Sequence, residues 1–268
     1  MIKSKLSEPL SPKYISTLDS LSKLLREEYK VNGSIGVKFT DKLLKSHKNP
    51  TSFNTIRRHL NVLLNHLKEN GFDAKPTSLK PLKQTEKLHK PITNLNELLE
   101  DIRAYNHNLY FCALFTYCCL LRPHREVRLL KWKDFSSDLK YVSVDGSRIK
   151  SKRNRIVPVP EIIRSSLSAG QSDHFIFTNS PIEFNDDYFK TLWSRFKKQS
   201  KIIDREVTLY SFRHTGAIDL FKRTGSITKL QSAMGHSSIK VSLTYLRGLE
   251  VPKLSEEDMP MLNLFSRF

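Results

Sequence analysis

The sequence predicts a mainly helical protein of two domains with one small antiparallel β-sheet. Helical patterns fill most of the 268 residues, before and after a lysine- and proline-rich segment at residues 74–91. Residues 140–159 instead have the alternation and the Asp-Gly turn of a β-hairpin. A hydrophobic content of 38% is enough to give each domain its own core.

The formal net charge of +18 predicts a polyanionic partner, and nucleic acid is the first candidate. Acidic membranes are an alternative, but the longest apolar run, residues 109–121, is too short to span a bilayer. The N-terminus has lysines and Pro9 where a secretory signal needs an apolar core, so a cytoplasmic location is expected. The cysteines, Cys112, Cys118 and Cys119, lack metal-ligand spacing and are interpreted as core residues.

The first domain, residues 1–73, is predicted to be a small helical unit. Three helices are expected there: one starting at Ser11 and Pro12, one at residues 37–44 and one at about residues 52–70. The polar face of the third helix carries Arg57 and Arg58. A solvated helix face is the common interpretation of such charges, but the net charge makes both arginines candidate DNA contacts.

Residues 74–91 are predicted to be an extended basic linker. The segment has three prolines and five lysines against one acidic residue, and neither helical nor strand periodicity. Lys83 and Lys87 are its candidate contacts to a DNA backbone. A connector of this kind suits a protein that clamps duplex DNA from two sides, although a solvated tether has the same composition.

The second domain is expected to cover residues 92–254. Helices are predicted at residues 109–121, 160–167, 186–199, 208–223 and 227–234, with a short strand at 174–177. Residues 140–159 between them are predicted as strand, turn, strand, basic turn and strand. The remaining segment, residues 255–268, has the pattern of a short amphipathic tail, which either folds back or docks on a neighbouring protomer.

Polar residues at three places are candidates for a common site. Arg122 follows the apolar helix directly and precedes a proline, so a rigid element holds it. Arg213 lies on the flank of the helix at 208–223, where burial is costly unless the guanidinium meets an anion. His236 lies in a turn after Gly235, where a second helix begins that is expected to reach Tyr245. By residue type alone, Tyr245 would more often be a core aromatic.

Five features in order resemble the motifs of tyrosine recombinases, the phage-integrase family. They are LRPHREVRLLKW, IKSKRNRIVPV, YSFRH, MGHSS and a tyrosine, Tyr245, nine residues after the histidine of MGHSS. The resemblance covers about residues 92–247, and the helical unit before the linker is similar to the family's core-binding, SAM-like domain. It implies an integrase-like catalytic domain that follows a helical DNA-binding domain.

The resemblance implies an enzyme that breaks and rejoins DNA without a cofactor or a metal ion. Tyr245 would attack the scissile phosphodiester and form a 3′-phosphotyrosyl bond, which frees a 5′-hydroxyl. Arg122 and Arg213 would bind the non-bridging oxygens, and His236 would donate a further hydrogen bond. Lys150 occupies the position of the family's general acid.

Other residues are assigned more loosely. Lys152 and Arg153 are expected to contact DNA phosphates. Tyr210 stands where the family usually has histidine or lysine, and a phenol is a poor base at neutral pH, although it can still donate a hydrogen bond to the phosphate. Glu126 is a candidate to support an arginine, which would mean little as a surface ion pair.

One departure concerns the spacing of the first motif. One residue more than usual separates Arg122 from Trp132, so Arg125 stays an alternative first clamp, and Arg128 is a further arginine of the same stretch.

The expected partners are double-stranded DNA and further copies of the chain, since recombinases of this family act as tetramers. A site-specific recombinase of integrase or invertase type is the first interpretation. A type IB topoisomerase-like enzyme would use the same chemistry without a second site. The third interpretation is a catalytically silent DNA-binding accessory protein. Tyr210 and the extra residue after Arg122 would then be signs that the catalytic site has decayed.

Overall fold

The computed structural model describes residues 10–84, 89–146 and 154–247. The chain divides into two compact units, Met1–Lys87 and Leu88–Phe268. The boundary falls inside the predicted linker. Four residues with predicted roles, and the whole predicted tail, lie outside the described residues: Lys87, Lys150, Lys152, Arg153 and residues 255–268.

In the described part of the first unit, residues 10–84, three helices surround a leucine-rich core. They are α1 (Pro12–Asn32), α2 (Val37–Lys45) and α3 (Pro50–Glu69). Ser11 is the N-cap of α1, as predicted, and its Oγ accepts a hydrogen bond from the Tyr14 amide. Helix α3 begins earlier than predicted because Asn49 caps it, accepting a hydrogen bond from the Thr51 amide at 2.9 Å.

Residues 74–84 have no helix or strand and are fastened to α2 and α3. Asp41 on α2 accepts hydrogen bonds from the hydroxyls of Thr77 and Ser78, each at 2.5 Å. Asn54 on α3 exchanges two hydrogen bonds with the backbone of Leu82, both at 2.8 Å. This part of the predicted linker therefore packs as a part of the first unit.

The described part of the second unit is helical with one two-stranded sheet. Its helices are α4 (Leu95–Tyr105), α5 (His107–Cys118), α6 (Glu161–Arg164), α7 (Tyr188–Gln199), α8 (Leu209–Thr224), α9 (Ile227–Met234) and α10 (Ile239–Leu243). Strands β1 (Tyr141–Val144) and β2 (Arg155–Pro158) pair antiparallel, with Val144 opposite Arg155. The predicted strand at 174–177 is wrong: Phe175 makes only isolated bridges to Lys131 and Ser180.

Helix α5 is buried on almost all sides, as its apolar sequence predicts. Helix α8 crosses it closely at Gly216, where a Cβ atom would lie 2.2 Å from the carbonyl oxygen of Tyr117. Only glycine permits this approach. The Tyr117 hydroxyl also donates to Asp219 at 2.8 Å. The crossing fixes α8 against the end of α5, and it thereby fixes the two places where the predicted arginines lie.

The described helices include no segment that is both long and apolar enough to cross a membrane.

Candidate active site

Arg213 lies on α8 and is 1% exposed. Its Nη2 donates to the carbonyl oxygen of Met234 at 2.8 Å, whereas Nε and Nη1 are buried without a hydrogen-bond partner among the described residues. Burial lowers the pKa of Arg213 to about 10, against the opposing effect of Glu126, so the group is still a cation at neutral pH. Donors left unpaired in a buried cation indicate a place for an anion.

Glu126 is the carboxylate at the centre of this cluster. Its side chain is fully buried, and its Oε2 accepts from Arg155 Nη2 at 2.6 Å and from the Arg122 amide at 2.8 Å. Its Oε1 pairs with Nη1 of Arg122, and Arg213 Nη1 is 3.8 Å from Oε2. Glu126 is therefore no surface ion pair. Three guanidinium groups surround one carboxylate, which leaves net positive charge for a ligand to neutralise.

The chain reaches Glu126 through one turn of π-helix, Pro123–Val127. The amides of Val127 and Arg128 donate five residues back, to the carbonyls of Arg122 and Pro123. A π-turn contains one residue more than an α-turn. This geometry accommodates the extra residue between Arg122 and Trp132. Arg122 and Glu126 therefore still form an ion pair despite the longer spacing.

The path into Arg122 differs from the prediction. Helix α5 ends at Cys118, not at residue 121, and Leu120 adopts a left-handed conformation with φ of 52°. Arg122 is thus held by the Glu126 ion pair and not by a continuing helix. Its side chain is 21% exposed, whereas Arg125 is exposed on the same turn. The geometry favours Arg122 over Arg125 as a member of the site.

Arg155 is the site residue that the sequence analysis missed. It opens β2 and is buried, with Nη1 donating to Met234 O at 2.6 Å and Nη2 to Leu120 O at 3.2 Å. Gly235 is needed beside it, because it has φ of 65° and a Cβ there would lie 2.5 Å from Arg155 Nη1. Strand alternation places Arg155 on the same face as buried Val157, which was the available signal.

His236 and Tyr245 lie beside the arginines. Their ring centroids are 5.3 Å apart, and His236 Nδ1 lies 3.0 Å from the hydroxyl of Ser242. Burial, reinforced by the nearby Arg213 and other arginines, lowers the pKa of His236 to about 4. The imidazole is therefore neutral at pH 7. The helix expected to reach Tyr245 ends at Leu243, and Tyr245 lies on a following 3₁₀ turn, Thr244–Leu246.

Tyr210 and His214 complete the cluster on α8. The His214 ring lies 5.5 Å from the Tyr245 ring, and burial lowers the pKa of His214. Burial raises the pKa of Tyr210, while the positive charges of Arg213 and Arg122 act in the opposite direction. The phenol of Tyr210 therefore stays protonated at neutral pH, as a donor and not as a base.

The predicted DNA contacts of the first unit occupy different settings. Arg57 is partly buried, and its Nε donates to the carbonyl of Leu79 at 2.6 Å. Arg58 and Lys83 are exposed. Arg57 thus contributes to holding residues 74–84, whereas Arg58 and Lys83 present their charges to solvent. The predicted contacts Lys87, Lys152 and Arg153, and the predicted acid Lys150, are outside the described residues.

Comparisons with known proteins identify the family of the chain. Residues 83–250, more than half of the chain, match the model described as the Phage integrase family. Among curated proteins, none matches the sequence significantly.

Solved structures match most of the chain at low identity. A lambda integrase dimer bound to a COC′ core site is 16% identical, with a TM-score of 0.75 over 95% of this chain and 78% of that chain. Tn1549 transposon integrase with a circular intermediate DNA is 15% identical, with a TM-score of 0.67 over 91% and 92%. XerH site-specific recombinase bound to a palindromic difH substrate is 14% identical, with a TM-score of 0.61 over 86% and 75%. At these identities the matches show a common fold.

Proposed function

The chain belongs to the phage integrase family and is a tyrosine recombinase, an enzyme that breaks and rejoins DNA, and we propose that Tyr245 is its nucleophile. The Tyr245 hydroxyl gives up its proton to solvent as its oxygen attacks the scissile phosphorus, a new P–O bond forms, and the bond to the 5′-oxygen breaks. The leaving oxygen takes up a proton and becomes a free 5′-hydroxyl. That hydroxyl, or one from a partner strand, later reverses the reaction and releases Tyr245.

The observation that carries this proposal is the excess of buried positive charge next to Tyr245. Arg122, Arg155 and Arg213 share the single carboxylate of Glu126, and two donors of Arg213 have no partner among the described residues. A DNA phosphate would accept hydrogen bonds from Arg122 and Arg213 while negative charge builds up on its oxygens. Glu126 would hold the two clamping arginines in place, and Arg155 would hold the Glu126 carboxylate.

His236 and Tyr210 are proposed as neutral donors to the same phosphate. Both have pKa values shifted towards the neutral form by burial, so neither needs to change charge during the reaction. Lys150 is proposed as the general acid for the leaving 5′-oxygen on the resemblance alone.

The proposed substrate is double-stranded DNA, bound by a tetramer of this chain. The net charge of +18 favours a polyanion, and lambda integrase has been solved as a tetramer bound to a Holliday junction. We also propose that residues 1–73 and the linker bind DNA through Arg58 and Lys83, that residues 255–268 are exchanged between protomers, and that the protein acts in the cytoplasm. The recombinase matches do not favour a relaxing topoisomerase or a silent accessory protein.

The test is capture of a covalent adduct on nicked duplexes that contain a randomised segment. A nick just beyond the cleavage site lets the short product strand diffuse away, so the adduct accumulates without knowledge of the target sequence. The expected result is a denaturant-resistant protein–DNA adduct, with the DNA remnant on the peptide containing Tyr245 and no adduct for Tyr245→Phe. An adduct on another residue, or none from any duplex in the pool, would overturn the proposal.

A further inference from the structure

The imidazole of His89 is stacked on the ring of Tyr210. The ring centroids are 5.3 Å apart and the planes differ by 15°. His89 Nδ1 also lies 3.1 Å from the hydroxyl of Thr208, the N-cap residue of α8. Although His89 is exposed, loss of hydration where its ring packs lowers its pKa, so the neutral imidazole is the dominant form at neutral pH.

The segment that carries His89 is fastened to the same end of α8. Lys90 pairs with Asp204 at 2.5 Å and lies 3.6 Å from Glu206. The amide of Ile92, a residue only 6% exposed, donates to the Thr215 hydroxyl on α8 at 2.9 Å. The ion pairs are exposed and contribute little free energy. The buried hydrogen bond and the Ile92 side chain fix where the segment runs, and so where His89 lies.

Tyr210 in turn belongs to the reaction centre. It precedes Arg213 by three residues, which places both on one face of α8. The charges of Arg213, Arg122 and Tyr245 all act on the pKa of Tyr210. The ring of His214, on the same helix, lies 5.5 Å from the ring of Tyr245. A change at His89 can therefore alter the position of Tyr210, which lies between His89 and the proposed phosphate site.

We propose that His89 is a positioning residue of the active site, which acts through Tyr210 and holds its phenol as a hydrogen-bond donor to the DNA phosphate. This inference rests on the proposed function. Stacking and the bond to Thr208 restrict the Tyr210 side chain before DNA arrives, so less freedom is lost when the hydrogen bond forms. The raised pKa of Tyr210 keeps the proton on the donor.

His124 also approaches the Tyr210 ring, with centroids 5.8 Å apart, but its plane is tilted by 55°. His89 is also anchored at Thr208, whereas Nδ1 of His124 is buried without a hydrogen-bond partner among the described residues. His89 is for this reason the residue assigned.

The experiment is a double-mutant cycle on single-turnover cleavage of the duplex selected by wild-type protein. His89→Ala and Tyr210→Phe should each slow cleavage about tenfold, as loss of one hydrogen bond to a charged group would. The double variant should be no slower than Tyr210→Phe, and duplex binding should be unchanged in all three. Independent, multiplying effects, or no effect of His89→Ala, would overturn the proposal.

His107→Ala is the matched control, because His107 is an exposed imidazole that packs on the ring of Phe111 in the same unit. It should leave the cleavage rate unchanged. Thermal unfolding of His89→Ala should match that of His107→Ala. If His89→Ala unfolds at a lower temperature than His107→Ala, and the smaller folded fraction explains its slower cleavage, the role of His89 is structural and the proposal is wrong.

The pH profile separates a donor from a base at Tyr210. The ratio of the wild-type cleavage rate to the Tyr210→Phe rate should stay constant between about pH 6 and pH 8. The same ratio measured with His89→Ala in both proteins should also be independent of pH. A ratio that rises about tenfold per pH unit would identify Tyr210 as a base and overturn the assignment. If wild-type protein forms no adduct at all, the proposed function fails first and this inference falls with it. If wild-type protein forms the adduct but the effects of His89→Ala and Tyr210→Phe on cleavage are independent, only the role of His89 is wrong.

Discussion

Arg128 and Arg213 are both buried in the second unit, but their guanidinium groups have different surroundings. Arg128 donates to the carbonyls of His124 and Phe184 and pairs with Asp186 at 2.5 Å and Glu183 at 3.3 Å. Arg213 donates to one carbonyl, and its Nε and Nη1 make no hydrogen bond among the described residues, although Nη1 lies 3.8 Å from Glu126. Their exposures are nearly equal, 5% and 1%.

The contrast separates a structural arginine from a functional one. A buried cation with every donor used is complete and stabilises the fold around it. A buried cation with unused donors is costly to the fold, and such a cost persists where a ligand or transition state supplies the missing partner. Burial alone does not distinguish the two cases. The partners of the individual nitrogen atoms do.

The largest expected effect comes from removing the negative charge of Glu126, which stabilises the buried arginines around it. Glu126→Gln keeps the size of the side chain but leaves Arg122, Arg155 and Arg213 without a counter-charge. We expect the free energy of unfolding to fall by about 3–5 kcal/mol, the usual cost of an uncompensated buried charge. Urea unfolding at neutral pH measures it. A loss below about 1 kcal/mol would mean that Glu126 does not offset the cluster.

The next effect concerns catalysis and not folding. Arg213→Lys keeps a positive charge but loses the planar fork of donors, so we expect cleavage to slow by about 10²- to 10³-fold. Single-turnover adduct formation on the selected duplex measures it, with urea unfolding in parallel. A decrease of less than about tenfold would place the phosphate away from Arg213 and would remove the contrast with Arg128.

Much of this comparison was accessible from sequence. Ser11 and Pro12 correctly predict the start of α1, and residues 227–234 were predicted with the limits that α9 has. Arg213 is correctly predicted to need an anionic partner, because an arginine on the flank of an apolar stripe has few other ways to be buried. Local propensity and hydrophobic pattern are sufficient to predict a feature that depends on the residues of a single helix.

The remaining features depend on atoms that are distant in the chain. Arg155 went unnoticed because its strand also places apolar Ile156 on the exposed face, which hides the alternation. Glu126 is predicted as a candidate support for an arginine, but its burial is not predictable, because the local sequence gives no signal for a π-turn. The end of α5 was placed too late because Leu120 adopts a left-handed conformation that usually favours glycine. In each case tertiary packing overrides the local preference.

A smaller effect should follow from Arg128→Met, which retains an apolar stem and removes the guanidinium. We expect the free energy of unfolding to fall by about 1–3 kcal/mol, since buried carbonyls lose their donors. Asp186 and Glu183 are exposed enough to be solvated instead. Cleavage per folded molecule should stay within about threefold of wild type, or about 0.7 kcal/mol in activation free energy. Slow cleavage at unchanged stability would make Arg128 a site residue.

The smallest effect is expected at Arg125, which lies between the two kinds of arginine in the same stretch and is exposed. Arg125→Ala should change the free energy of unfolding by less than about 0.5 kcal/mol, as surface substitutions usually do. Its cleavage rate should stay within about threefold of wild type, whereas the matched variant Arg122→Ala should lose about 10²-fold because it removes donors to the phosphate. Because the two residues share one turn, general damage to the π-turn would affect both variants alike. The reverse order of rates would make Arg125 the clamp and leave Arg122 as a support for Glu126.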